Sequence, residues 1–136
     1  MTDHLSALLV DDEPGFADAL RIALEARGFE CRSETDMTGA IRYLEQNDVS
    51  VLVTDIMMPA GPGYPKIESA ETGFHLVAEV RSRWPYIPIV CLSVIGDQKK
   101  IDQLKAKKVR YLRKGETPLE RAVATIYSAA TGKSSF

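Results

Sequence analysis

Five side chains that could do chemistry stand at the ends of short apolar segments: Asp11, Asp12, Asp55, Ser93 and Lys114. Three carboxylates brought together in a partly dehydrated site repel one another, and a divalent cation would relieve that repulsion. The candidate ligands are all hard oxygens, without sulfur or histidine, which favours Mg²⁺. A lysine and a hydroxyl beside such a site can hold a migrating phosphoryl group while Asp55 attacks as the nucleophile.

Each of these residues also has a plainer interpretation. Acidic residues after the first apolar segment can cap a helix through its dipole, and Asp55 can bind nearby backbone as an ordinary loop carboxylate. Lys114 can be a solvated surface lysine, and Ser93 can hydrogen-bond at a strand end. These interpretations do not explain why all five residues follow segments that are predicted to be strands of one sheet.

Short apolar runs alternate with helical patterns, which is typical of an α/β domain with a parallel sheet. The predicted strands are Leu5–Val10, Phe29–Ser33, Val51–Thr54, Ile87–Leu92 and Val109–Leu112. The predicted helices begin near Pro14, Asp36, Phe74, Asp97 and Thr117. Thr117 and Glu120 predict a capping box for the fifth helix. Right-handed crossovers then give a doubly wound sheet, whose ligands gather at the carboxyl ends of the strands.

The bulk composition narrows the class of protein. The 136 residues fit one domain, and the net charge of −2 argues against a nucleic-acid-binding surface. No apolar run reaches the roughly 18 residues of a membrane span, and Met1–His4 lacks the pattern of a signal peptide, so a cytoplasmic protein is expected. Cys31 and Cys91 are expected to be small buried hydrophobes rather than a disulfide or redox pair.

Four segments of the sequence resemble the receiver domains of response regulators in two-component signalling. Leu8–Pro14 is similar to their acidic opening, and Val51–Pro59 to their phosphoacceptor strand with its following Met-Pro. Pro88–Ser93 is similar to the fourth strand with its terminal hydroxyl, and Tyr111–Lys114 to the fifth. The resemblance covers about residues 5–130 and implies a single flavodoxin-like domain across 1–136, with strand order 2-1-3-4-5.

The resemblance also implies roles. Asp55 would be the phosphorylation site and would bind Mg²⁺ together with Asp12, the backbone carbonyl of Met57 and, through water, Asp11. Ser93 and Lys114 would bind the phosphoryl oxygens. Tyr111 would change rotamer as Ser93 moves, which would shift the face formed by the fourth helix, fifth strand and fifth helix.

Three departures from the family pattern stand out. About ten residues are inserted within 60–72, between the Met-Pro and the Gly73-Phe74 that resembles the usual helix opening; Gly63 is an alternative match for that glycine. This loop either screens Asp55, contacts the kinase, or is a tolerated insertion. Gly115 replaces the family's proline, so a trans bond and an unusual φ are expected. The site is also expected to be poor in water and to lose the phosphoryl group slowly, because apolar side chains flank it at Met57, Val94 and Ile95.

The resemblance implies a sensor histidine kinase or a histidine phosphotransfer protein as phosphodonor. It also implies an unidentified output partner, and a homodimer through the face of the fourth helix, fifth strand and fifth helix. Two alternatives remain at this point. An aspartate-nucleophile phosphatase of the haloacid dehalogenase type normally has a second acid where this sequence has Met57. A phosphorylation-independent binding module usually lacks an acid, serine or lysine that this sequence keeps.

Overall fold

A computed structural model describes residues 4–133, and its centre is a five-stranded parallel sheet. The strands are β1 (Leu5–Val10), β2 (Phe29–Glu34), β3 (Val51–Thr54), β4 (Ile89–Ser93) and β5 (Val109–Arg113). Their order is β2-β1-β3-β4-β5, which confirms the predicted topology. β3 is buried at every residue, as its unbroken apolar and β-branched sequence requires of a central parallel strand.

Five α-helices cover both faces of the sheet. They are α1 (Pro14–Ala26), α2 (Met37–Gln46), α3 (Thr72–Arg83), α4 (Gln98–Ala106) and α5 (Leu119–Thr131). α2, α3 and α4 pack on one face around Leu52, Leu76 and Leu104. α1 and α5 pack on the other face around Leu24 and Ile126. The doubly wound arrangement therefore holds the sheet rigid from both sides.

Helix starts follow the sequence signals in one case and not in another. Asp36 caps α2 as predicted, because its Oδ1 accepts a hydrogen bond from the Gly39 amide at 2.8 Å. The predicted capping box of Thr117 and Glu120 is wrong. Pro118 itself occupies the N-cap position of α5 with an extended ψ of 147° and no side-chain cap, which leaves Thr117 one residue outside the helix.

The inserted segment is folded rather than loose. The Thr38 amide and hydroxyl both donate to the Ala60 carbonyl, at 3.0 and 3.2 Å, and the hydroxyl also reaches the Pro62 carbonyl. Tyr64 and Ile67 pack against the core beside α2 and α3. A 3₁₀ turn at Ser69–Glu71 then leads into α3, which therefore begins at Thr72 and not at Phe74 as predicted.

Two glycines explain how the chain leaves the strand ends. A Cβ on Gly73 would lie 2.5 Å from the Asp55 carbonyl oxygen and from the Ile56 Cα, so only glycine permits this approach of α3 to the end of β3. This contact favours Gly73 over Gly63 as the helix-opening glycine. Gly115 has a φ of 84°, and no cis peptide bond occurs within residues 4–133, both as predicted.

The cysteines are free, and the two differ in burial. Cys91 on β4 is buried, whereas Cys31 on β2 is only half-buried, so the expectation of two buried side chains holds for one of them. β2 and β4 are separated by β1 and β3 in the sheet, which keeps the two thiols apart. None of the helices within residues 4–133 has the length and apolar character needed to cross a bilayer.

Candidate functional site

The backbone hydrogen bonds between strands continue past the strand ends and fix the residues that follow them. The Asp11 amide donates to the Glu34 carbonyl at 3.0 Å, and the Asp55 amide donates to the Val10 carbonyl at 2.9 Å. The Lys114 amide donates to the Ser93 carbonyl, also at 2.9 Å. Residues far apart in sequence therefore meet at one edge of the sheet on rigid backbone.

Asp11, Asp12 and Asp55 form a compact acidic cluster at this edge. One oxygen from each carboxylate lies within 4.8 Å of the others, which is a spacing that a single cation can bridge. Asp11 and Asp55 are buried and Asp12 is exposed, so the cluster opens to solvent on one side. Burial raises the pKa of Asp11, although its hydrogen bond to Lys114 opposes that rise. This all-oxygen donor set suits Mg²⁺ or a similar hard cation.

Lys114 lies inside the acidic cluster, with a side chain that is only 6% exposed. Its Nζ is 2.7 Å from Asp11 Oδ2, 2.9 Å from Asp55 Oδ2 and 2.8 Å from Glu13 Oε1. Burial alone would lower the pKa of Lys114, but the hydrogen bonds to these three carboxylates outweigh it and raise the pKa above its ordinary value. Lys114 is therefore a fixed positive charge at the site.

The carboxylate of Asp55 is held at both oxygens. Oδ1 accepts from the Ile56 amide at 2.6 Å and, more weakly, from the Met57 amide at 3.4 Å, whereas Oδ2 accepts from Lys114. Asp55 itself is 5% exposed. An anionic oxygen so oriented at the mouth of a cation site is well placed to act as a nucleophile.

Ser93 and Tyr111 lie on the next two strands along and are linked to each other. Ser93 is fully buried, and its Oγ accepts from the Ile95 amide at 3.5 Å. The Tyr111 hydroxyl donates to the carbonyls of Ser93, at 3.2 Å, and Ile95. Within residues 4–133, the Ser93 hydroxyl makes no hydrogen bond to the acidic cluster, so it is a neighbour of the cluster rather than part of it.

Comparison with known proteins places these features in a family. A sequence profile described as "Response regulator receiver domain" matches residues 7–125. The chain belongs to this family. It is 32% identical over 114 residues to the regulatory protein VanRc of Enterococcus gallinarum, an alignment covering 83% of this chain and 45% of that protein. It is 31% identical over 97 residues to the response regulator Rre1 of Synechocystis, covering 71% of this chain and 38% of that protein.

Solved structures show the same fold. The chemotaxis response regulator CheY4 of Vibrio cholerae superposes with a TM-score of 0.76 at 23% identity, covering 93% of this chain and 99% of that one. A response regulator receiver domain protein from Clostridium thermocellum also gives 0.76 at 24% identity, over 94% and 95% of the two chains. The present receiver domain spans less than half the length of the two curated relatives described above.

The side chains around the acidic cluster of this receiver domain are partly apolar. Met57 is 46% exposed and Val94 is 58% exposed, whereas Ile95 is half-buried against the core. Met57 follows Asp55 by two residues, and Val94 directly follows Ser93. Exposed apolar side chains therefore stand on both loops that leave the strand ends beside the acidic cluster.

Glu13 is a member of the site that sequence analysis missed. The sequence places Glu13 only in an acidic run at the start of a helix, yet its carboxylate holds Lys114 at 2.8 Å. Phe16 is a second missed neighbour, because the Lys114 ammonium lies 4.8 Å from the centre of its ring. The position of Glu13, next to two acids already assigned to the strand end, was the signal that could have identified it.

Proposed function

We propose that this receiver domain is a phosphoryl-accepting switch and that Asp55 is the acceptor. The proposal depends chiefly on one observation: the Asp55 carboxylate is buried among Asp11, Asp12 and Lys114 at the carboxyl end of a central strand. The phosphodonor we propose is a phosphohistidine of a sensor histidine kinase or a histidine phosphotransfer protein. Membership of the family supports this choice, since receiver domains are signalling modules.

In the proposed transfer, an Asp55 oxygen attacks the phosphorus while the phosphorus–nitrogen bond to the donor histidine breaks. The leaving electron pair stays on the imidazole, which regains a proton from solvent. Asp12, Asp55, the Met57 carbonyl and, through water, Asp11 would hold Mg²⁺, which would supply positive charge to offset that of the phosphoryl oxygens. Lys114 orients Asp55 before transfer and pairs with a phosphoryl oxygen afterwards.

Phosphorylation adds roughly −1.5 to −2 charge units and strong hydrogen-bond acceptors at Asp55. We propose that Lys114 then exchanges part of its carboxylate contacts for the phosphoryl group and that Ser93 turns its hydroxyl towards it. Movement of Ser93 would break the hydrogen bonds from the Tyr111 hydroxyl to the Ser93 and Ile95 carbonyls. The β4–α4 loop is then free to move, and the face of α4, β5 and α5 shifts. That face would act on an unidentified output partner or pair with a second copy of the chain.

The apolar surfaces beside Asp55 bear on how long the phosphoryl group persists. We propose that Met57, Val94 and Ile95 exclude attacking water, so that the aspartyl phosphate is lost slowly. Loss within seconds in the presence of Mg²⁺ would contradict this part of the proposal. A Val94→Ala variant, which opens the route from solvent, is expected to lose the group faster than the wild type.

The inserted segment is proposed to meet the kinase rather than to screen Asp55. Within residues 4–133 its hydrogen bonds and ion pair to the rest of the domain include those to Thr38, Met58 and Lys100, and none reaches the Asp55 side chain. The stretch 62–66 forms an exposed tip except for half-buried Tyr64. Replacing Lys66 with Glu would change phosphotransfer from the cognate kinase but not phosphorylation by a small phosphodonor. Equal rates of phosphotransfer from the kinase to the wild type and to the Lys66→Glu variant would mean that the segment is a tolerated insertion.

Mass measurement after incubation with Mg²⁺ and a small phosphodonor tests the proposed function. We expect one added phosphoryl group that is removed by hydroxylamine, none in Asp55→Asn, and a full addition in Asp48→Asn, which changes an exposed loop carboxylate. Omitting Mg²⁺ should prevent the addition. An unmodified wild-type chain would instead favour a phosphorylation-independent binding module, and addition to Asp55→Asn would move the acceptor elsewhere.

The family also sets the expected context. We propose that residues 1–136 form a single receiver domain that works in the cytoplasm and does not bind nucleic acid by itself. Its relatives are about twice its length or more, so the output that the switch controls is to be sought in a further domain or in a separate protein.

A further inference from the structure

A groove of about 950 Å³ runs along α5, and four cationic side chains line it: Arg27, Arg110, Arg121 and Lys133. All four are exposed, and Glu120 is the one carboxylate among the lining residues. The groove shares no residue with the acidic cluster around Asp55. A chain with a net charge of −2 thus concentrates positive charge on one surface.

The cations of the groove are not neutralised by the protein. Within residues 4–133 none of the four forms an ion pair, whereas Arg21, Arg83 and Arg113 elsewhere on the surface each pair with a glutamate. Unpaired cations also occur elsewhere within these residues, among them Arg42 and Lys66, so the feature that distinguishes this surface is that four of them line one groove.

Two of the cations are nevertheless held in place by neutral groups. The Arg27 guanidinium stacks over the Tyr127 ring, 4.5 Å from its centre. Arg110 Nη1 donates to the Thr125 carbonyl at 3.4 Å. Neither contact cancels the charge, and both reduce the entropy that a side chain would lose on binding an anionic ligand.

The floor of the groove is formed by small residues of α5. Ala124, Thr125 and Ser128 face it, and none has a long side chain that would fill it. An extended or helical segment could therefore lie close to α5 while its side chains reach the cations on either side. A small-molecule site would normally be more enclosed and more apolar than this surface.

We propose that this groove binds an acidic peptide segment of a partner protein. Complementary charge favours such a segment, since several carboxylates would meet four unpaired cations. A long nucleic acid fits less well, because the whole domain carries a net negative charge and nucleic-acid-binding domains are normally basic. Arg110 lies on β5 and Arg121 on α5, so the groove is part of the face that the proposed function assigns to an output partner, and this proposal rests on that function by naming the chemistry of the partner. Peptide binding is measured on the unphosphorylated chain, so its failure is distinct from a failure of Asp55 to accept a phosphoryl group.

Fluorescence anisotropy with a labelled oligo-glutamate peptide and the full chain tests the groove. Arg110→Glu combined with Arg121→Glu is expected to weaken binding by about tenfold, because exposed ion pairs contribute up to roughly fivefold each. The matched control combines Arg42→Glu with Lys107→Glu, two exposed residues that lie outside the groove. It changes the net charge equally and should leave the affinity almost unchanged. Glu120→Gln should strengthen binding.

The outcomes separate the groove from general electrostatics. Shifts of the wild-type amide resonances along α5 on addition of the peptide, together with weaker binding at high salt, would support the proposal. Equal loss of affinity in both double variants, or no binding by the wild type, would overturn it. Tighter groove-dependent binding of single-stranded DNA or of vesicles containing an anionic lipid would also overturn it, by identifying a different occupant.

Discussion

Two loops leave neighbouring strands beside Asp55, and they are built in opposite ways. The long β3–α3 loop is held by backbone hydrogen bonds: the Met58 amide donates to the Ser69 carbonyl at 3.1 Å, and the Gly73 amide to the Ile56 carbonyl at 2.9 Å. The short β4–α4 loop exposes Val94, and the side chain of Tyr111 is what anchors its Ile95 carbonyl.

The difference indicates which of the two loops keeps its position when Asp55 is phosphorylated. Backbone hydrogen bonds persist whatever the charge at Asp55, so the β3–α3 loop keeps the acceptor in a fixed position. An anchor made by one side chain can be released by a rotamer change, which suits a segment that must respond to phosphorylation. The polar helix α4, with only Ile101 and Leu104 buried, follows the second loop.

The largest effect is expected from Gly73→Ala, which changes the end of the fixed β3–α3 loop. The added methyl group would collide with the Asp55 carbonyl and the Ile56 Cα, at a cost of about 1–3 kcal/mol in the free energy of unfolding. Urea denaturation measures the change. Gly15→Ala is the control, since a Cβ there meets no atom within 4 Å and should cause no loss.

Tyr111→Phe tests the movable side. Loss of the hydroxyl removes a donor shared by the Ser93 and Ile95 carbonyls, which should cost about 1 kcal/mol and speed amide hydrogen exchange across 93–97. Tyr64→Phe is the matched control, because the Tyr64 hydroxyl makes no hydrogen bond within the described residues. Unchanged exchange in Tyr111→Phe would mean that the loop has another anchor.

Thr38→Val tests whether the inserted segment depends on α2. The valine keeps the shape of the side chain but cannot donate to the Ala60 and Pro62 carbonyls, so we expect a loss of about 1 kcal/mol or less and faster proteolysis within 61–67. Thr117→Val serves as control and also tests the wrong capping-box prediction. A similar loss in the free energy of unfolding of Thr117→Val would mean that the Thr117 side chain does cap α5.

The smallest effect is expected from Glu71→Gln. Glu71 ends the 3₁₀ turn of the inserted segment and pairs with Lys100 of α4 at 3.1 Å, where both side chains are more than a third exposed. An exposed pair of this kind contributes less than about 1 kcal/mol. A double-mutant cycle with Lys100→Gln should give a small coupling that fades in salt, and a large coupling would mean that the two loops are not independent.

Local patterns in the sequence were enough to predict the strands and the convergence of their ends. Val51–Thr54 is apolar or β-branched throughout, and its position between helical patterns already implied a central strand. The acidic cluster followed from that topology, because the residues after parallel strands share one edge.

Features that depend on contacts between distant residues could not be predicted in this way. The inserted segment is shaped by Thr38, which lies more than twenty residues before it and carries no signal of that role. Glu13 reaches Lys114 only because the fold brings residues 101 positions apart together. Even the local capping pattern at Thr117 failed, since the extended backbone of Pro118 moved the helix start.

Hydrogen exchange measured with and without a small phosphodonor, in the presence of Mg²⁺, tests the central claim most directly. Phosphorylation is expected to change exchange in the β4–α4 loop and α4, residues 93–106, while 56–58 and 69–73 stay unchanged. Asp55→Asn should show no change in either region. A response confined to the β3–α3 loop, or one that survives in Asp55→Asn, would contradict the account.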